Sequence, residues 1–374
     1  MKKRIEAIDA LRGFSLLGIL IANMLYFQYS DITQNTIDPT TWWDKGAFYF
    51  TKIFVEASFY PIFGFLFGYG IILFIRTLEN RDLKTRGPLW RRAIGLMILG
   101  VLHIAFVWDG DILFTYGAGL IIIMLFIKRK VKTLLIWATV MTLLMAPLLL
   151  LKTDFLALAA NEDIVAVLAS GTYWEVVQQR IGITEDIPFF IVLLVIPIAV
   201  GFMALLSFFV IGPFVLLGMA AAKTDFFANI SGKTVLLKRL ALLIPIGLAC
   251  KALLFWDHFA GKLLYGAGTY MLALGYMALF TLLYLANHES KLSKAFASVG
   301  RLSLTNYLMQ SLIFTTIFYG YGLGFFGELG VAIGLVLAVA FYAIQLFVST
   351  LYSKRFSIGP VEWLLRKFIY LGKG

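Results

Sequence analysis

His103, Asp111 and Glu56 are the side chains best suited to acid–base chemistry in this chain, and all three stand in or beside strongly apolar runs. An ionisable group in such surroundings is costly and needs a partner or a task. His103 closes Gly100-Val101-Leu102-His103, and Asp111 ends the segment Trp108-Asp109-Gly110-Asp111. Gly110 permits a tight reversal that returns Asp109 or Asp111 towards the imidazole. A carboxylate beside an imidazole fixes its tautomer and raises its basicity, which a general base requires. The alternative is a histidine bonded to a neighbouring helix for packing alone. Glu56, in Val55-Glu56-Ala57-Ser58, has His103 and Lys52 as candidate partners. An i, i+4 pair with Lys52 would be structural rather than catalytic.

A second group is basic. Arg12, Arg91 and Arg92 flank apolar runs, and arginine forks match phosphates and carboxylates. Basic residues also gather at the inner ends of spans in any membrane protein. A third group is polar and uncharged: Asn306 and Gln310 lie one helical turn apart, with Ser303, Thr305 and Ser311 nearby. They suit either a polar substrate or hydrogen bonds between helices. The chain has no phosphate-binding glycine loop, dinucleotide fingerprint, His/Cys metal spacing or nucleophile elbow. A tightly bound cofactor or metal therefore has no support in the sequence.

The elements that must position these residues are transmembrane helices. The 374 residues are 61% apolar and 14% charged, and the mean hydropathy is +0.89. Apolar runs of about 18 residues or more exclude a soluble fold. The net charge of +11 fits cytoplasmic loops beside anionic lipid rather than a nucleic-acid partner. Cys250, the sole cysteine, lies in an apolar run and reads as a packed hydrophobe. Hydropathy predicts an all-α protein with ten spans, at 14–30, 48–75, 93–108, 112–127, 133–151, 188–222, 240–256, 269–287, 302–319 and 331–351. Pro188, Pro197, Gly201, Gly212 and Pro213 predict a kinked or partly re-entrant path through 188–222. With both termini cytoplasmic, about 26 of the 32 Lys and Arg residues fall on inner segments, as the positive-inside rule requires.

The transmembrane domain is thus expected over 1–351, with an outer loop at 152–187. In that loop Tyr173, Val177 and Ile181 form an apolar face with Trp174 as an anchor, suited to a membrane surface or a packed lid. Residues 352–374 form a cytoplasmic amphipathic tail. There, Val361, Leu364, Leu365, Phe368 and Ile369 make one apolar helical face, expected on the inner leaflet. Lys251 and Asp257 are expected to pair at the outer end of the seventh span.

Several motifs together resemble a known family. Ile8-Asp9-Ala10-Leu11-Arg12-Gly13 resembles the opening of the transmembrane acyltransferase superfamily. More specific are Phe65-Leu66-Phe67-Gly68-Tyr69-Gly70, Arg91-Arg92, His103 with Gly110-Asp111-Ile112-Leu113, Gly300-Arg301-Leu302-Ser303-Leu304-Thr305-Asn306-Tyr307 with Gln310-Ser311, and Gly359-Pro360-Val361-Glu362-Trp363. They resemble the YeiB-like family of bacterial membrane proteins over nearly the whole chain. The superfamily resemblance implies transfer of an acyl group from a cytoplasmic acyl-CoA-like donor to an outer-face acceptor: a lipid, glycan or small molecule. In the acyltransferase-3 branch a histidine stands where this chain has Asn23. Asparagine is no base. Either His103 replaces that base, with Asp111 and Glu56 in support and Arg12, Arg91 and Arg92 at the donor, or the chemistry differs. Asn23, Asn306 and Gln310 would then contact substrate. The rival expectation is a transporter or lipid flippase in which His103, Asp111 and Glu56 form a proton or substrate site. Either protein would sit in the bacterial inner membrane.

Overall fold

The computed structural model describes residues 5–33, 37–148, 162–181, 189–253 and 259–371. Every regular element among them is helical. In chain order they are α1 (Glu6–Thr33), α2 (Trp42–Phe50), a π-turn (Thr51–Val55), α3 (Tyr60–Glu79), α4 (Arg86–Phe106), α5 (Leu113–Ile123), α6 (Val131–Leu148), α7 (Glu162–Ser170), α8 (Tyr173–Ile181) and α9 (Phe189–Lys223). Then follow α10 (Thr234–Ala241), α11 (Leu243–Ala252), α12 (Phe259–Asn287), α13 (Lys291–Arg301), α14 (Ser303–Phe318), α15 (Gly330–Arg355) and α16 (Pro360–Tyr370).

Five described helices are long and apolar enough to cross a membrane: Glu6–Tyr29, Trp42–Glu79, Arg86–Phe106, Leu263–Asn287 and Gly330–Arg355. Shorter apolar helices run over Leu113–Phe126, Val131–Leu144 and Phe208–Lys223. The outward surface is apolar as well. On α15, Val336 and Phe347 are each 66% exposed and Val339 and Ile344 more than half exposed. So large an apolar face would be a liability in water and is the expected surface against hydrocarbon.

Small residues set the crossings. A Cβ on Gly300 of α13 would fall on the Asp9 carbonyl of α1, and one on Gly13 of α1 would fall on the Phe296 carbonyl of α13. In the same way Gly68 of α3 meets the Val215 carbonyl of α9, and Gly218 of α9 meets the Phe65 carbonyl of α3. Helices in lipid gain no hydrophobic drive from one another, so close backbone approach through small residues supplies the packing energy. α1 is central and touches α3, α12, α13, α14 and α15.

Two expectations about these elements change. The span expected at 48–75 lies within the membrane-length stretch Trp42–Glu79 but carries an unexpected break: the π-turn ends at Val55, Ala57 adopts φ 60°, and α3 restarts at Tyr60 with Pro61 in its first turn. Proline lacks the N–H that would continue the helix and restricts the residue before it, so it opens a helix more readily than it extends one. Residues 189–223 form one continuous helix rather than a re-entrant segment. α3, α5 and α6 pack along it, and neighbouring helices of this kind let a membrane helix tolerate interior prolines.

The tail helix α16 is docked against α4 and α14. Ile369 is buried and Leu365 faces inward, while Trp363, Leu364 and Phe368 stay exposed. The expected apolar face is therefore divided between the protein and the outside. In the loop after α6, Val176 and Val177 are buried, Tyr173 donates to the Phe106 carbonyl at 2.9 Å, and Trp174 is 65% exposed. These contacts pack α8 against α4 and leave Trp174 protruding.

Candidate functional site

α4 ends one turn after His103, where the Val107 and Trp108 amides both bond the His103 carbonyl. The chain then reverses through Asp109 and Gly110 into α5. Asp111 lies at the start of α5 and Oδ2 accepts the Phe114 amide at 2.6 Å, a capping contact that rigidifies the carboxylate. Its other oxygen, Oδ1, lies 2.9 Å from Nδ1 of His103. Both side chains are closed off from solvent. A carboxylate only accepts, so Nδ1 is the donor to Asp111, and in the neutral imidazole Nε2 then presents its lone pair. Nε2 is buried and has no hydrogen-bond partner among the described residues. This is the tautomer a general base needs. Tyr307 of α14 lies against the imidazole with ring centroids 5.4 Å apart. Its hydroxyl donates to the Gly110 carbonyl at 3.2 Å and accepts the Ile112 amide at 3.3 Å.

A cavity of about 420 Å³ has Tyr307 in its wall, while His103 and Asp111 are not among its lining residues. Ile112, Leu113, Tyr116, Phe63, Leu66 and Leu96 contribute its apolar wall. Its charged lining is Arg12, Arg92, Arg301 and Arg366 with Asp9 and Glu362. Arg12 pairs with Asp9 at 3.3 Å. Glu362 caps α14 instead, accepting the Leu304 amide at 2.7 Å and the Thr305 hydroxyl at 2.5 Å. The Arg92 guanidinium lies over Phe67 and Phe74, with no carboxylate partner among the described residues. Arg301 bonds Ser298, and its Nε is enclosed without an acceptor among the described residues. Cations outnumber anions where the cavity is basic, while the remainder is apolar. That combination suits an amphiphile with an anionic head.

Other expected site residues lie elsewhere. Arg91 is spent on structure: its Nε donates to the Ile369 carbonyl at 2.6 Å, holding the end of α16. Glu56 does not join His103. Its carboxylate binds Lys52 at 2.8 Å and the Tyr265 hydroxyl at 2.8 Å, because the helix break turns it towards α12. Asn306 and Gln310 do not line the cavity. Asn306 bonds Ser349 and Val299, and Gln310 bonds Gln345 at 2.8 Å. Buried amides find partners on the facing helix, so these tie α14 to α15. Asn23 is half-buried in α1, outside the cavity lining.

The sequence pattern assigned Arg301, Tyr307 and Glu362 no role in a site, and it read Lys251 only as the partner of Asp257. The first three stood in motifs whose side-chain directions were unknown. Lys251 is fully buried and reaches the Glu56 carbonyl at 2.6 Å and Ser58 at 3.2 Å, 4.8 Å above the Tyr265 ring. Its expected partner, Asp257, lies outside the described residues.

Residues 221–372 match the family described as "Protein of unknown function (DUF418)". The chain is 32% identical over 393 residues to YxaH of Bacillus subtilis (strain 168), an alignment covering 99% of this chain and 95% of the relative. The chain belongs to the YeiB-like family. YeiB of Escherichia coli (strain K12) is itself 27% identical, with 100% of this chain and 98% of that protein aligned. A 39.9 kDa protein from Bacillus acidopullulyticus is 28% identical over 99% of this chain and 95% of its own length. No solved structure matches. The matched 221–372 stretch of this YeiB-like chain holds Arg301, Tyr307 and Glu362, whereas Arg12, Arg92, His103 and Asp111 precede it.

Proposed function

We propose that this protein is a ten-span acyltransferase of the bacterial inner membrane, with both termini cytoplasmic. An acyl-CoA-like donor binds from inside, with its phosphates near Arg12, Arg92, Arg301 and Arg366. Its acyl chain lies along the apolar wall. Nε2 of His103 takes the proton of an acceptor hydroxyl or amine on the outer side as the acceptor attacks the thioester carbonyl; the C–S bond then breaks and the imidazolium returns that proton to the departing thiolate, which leaves as the free thiol. Asp111 keeps Nδ1 protonated and stabilises the imidazolium that forms. The observation that carries this reading is one cavity lined by both arginines and apolar side chains, whose wall includes the Tyr307 that lies against the His103–Asp111 pair. Purified protein in lipid nanodiscs, given palmitoyl-CoA and a membrane lipid and glycan extract, should release free CoA thiol. Release that is absent, or that persists unchanged in His103→Ala, would overturn the reading.

A second reading, a transporter or flippase, draws on a different observation. The helix break at Glu56, beside the buried Lys251, resembles the interrupted helices on which membrane transporters build ion and substrate sites. Its mark would be ion-dependent lipid or solute movement without thiol release.

A further inference from the structure

Tyr307 touches both the cavity and the His103 ring. One side lines the cavity, together with Ile112 and Leu113. The other touches the His103 ring. Its hydroxyl bonds both flanks of Asp111, at the Gly110 carbonyl and the Ile112 amide. His103 and Asp111 themselves do not line the cavity. His103 Nε2 is thus buried without a partner among the described residues, on a ring that lies against the cavity-lining Tyr307.

We propose that Tyr307 is the partition and positioning residue of the site: its ring seals His103 Nε2 from the cavity, and its hydroxyl fixes the turn that presents Asp111. This rests on the cavity being the substrate site. A reacting group must then displace or swing the Tyr307 ring to reach Nε2. The packing around Tyr307 is suited to a pivot. Neighbouring Asn306 and Gln310 anchor α14 to α15 through buried amides, so the helix stays put while the side chain moves. The hydroxyl contacts, at 3.2 and 3.3 Å, are long and neutral and so are weaker than the 2.9 Å bond they protect.

Diethyl pyrocarbonate tests this without any known acceptor, because it carbethoxylates neutral imidazoles and is read residue by residue by peptide mass spectrometry. His288, whose side chain is 58% exposed, is the internal reference. In the parent protein and in Tyr307→Phe, His103 should react at least about tenfold more slowly than His288, since only rare local opening exposes it. In Tyr307→Ala, His103 should approach the rate of His288, and dodecyl phosphate, whose head suits the arginines and whose chain suits the apolar wall, should slow it again. A locally unfolded variant would label regardless of dodecyl phosphate, so suppression separates an opened partition from lost structure. Tyr307→Val provides the same comparison should Tyr307→Ala not fold. Unchanged protection in the truncated variants, labelling in them that dodecyl phosphate leaves untouched, or equal labelling of Tyr307→Phe and Tyr307→Ala would overturn the proposal. None of these outcomes depends on thiol release, so the partition and the acyl-transfer reading fail separately.

Discussion

Asp111 reaches back over the Trp108–Gly110 turn to hold Nδ1 of His103 at 2.9 Å, while its second oxygen caps the helix that follows. One carboxylate therefore fixes both the imidazole tautomer and the start of α5. Catalytic and structural effects at this position are coupled, and substitutions must be compared in sets.

If His103 is the base, His103→Gln and His103→Ala should both lower turnover by roughly a hundred-fold or more. Asp111→Asn should be intermediate, because asparagine can still accept the Phe114 amide but stabilises an imidazolium less. A packing role predicts another order: His103→Gln near normal and His103→Ala poorly folded. Thiol-release rates set beside melting temperatures distinguish the two. A near-normal His103→Gln rate would refute the base assignment.

Arg92→Ala and Arg301→Ala should each weaken binding of palmitoyl-CoA by about tenfold or more, the scale of a lost charge-assisted contact. Added salt should weaken parent binding further. Arg91→Ala should leave affinity nearly unchanged and lower the melting temperature, because that guanidinium holds the Ile369 carbonyl instead. Titration calorimetry in nanodiscs measures all three. Equal losses for Arg91 and Arg92 would contradict this division of labour.

Topology can be read from single cysteines in a Cys250→Ser background, which removes the sole native thiol. Gln178→Cys on α8 should react with an impermeant maleimide from outside, and Lys367→Cys on α16 only from inside. Both residues are exposed. Labelling from the same side would rule out the ten-span arrangement with cytoplasmic termini.

Gly300→Ala should destabilise by at least about 1–3 kcal/mol, as overpacking against a backbone does, because its Cβ would fall on the Asp9 carbonyl. Gly68→Ala should behave alike against Val215. Gly46, in α2, has open space around it, so Gly46→Ala should be neutral or stabilise by about 0.4–1 kcal/mol. Thermal unfolding in detergent ranks the three. Tolerance of Gly300→Ala would mean that α1 and α13 cross less closely.

The sequence by itself determined that this is a helical, strongly apolar protein, because hydropathy and charge segregation are local properties that survive without contacts. It also brought Asp111 to His103, since a short glycine turn leaves the chain few other paths. Partner choice across distant segments needed the tertiary structure. Glu56 was legible as a costly carboxylate, but the break at Ala57 and Pro61 turned it towards Tyr265 and away from His103. Arg91 and Arg92 are adjacent and chemically alike, yet about 100° of helical rotation sends one to the α16 backbone and the other into the cavity. Asn306 and Tyr307 are neighbours too, and the same rotation gives one a buried helix–helix bond and the other a place against both His103 and the cavity. Which face of a helix meets which neighbour is decided by packing over the whole bundle, and no local pattern encodes it.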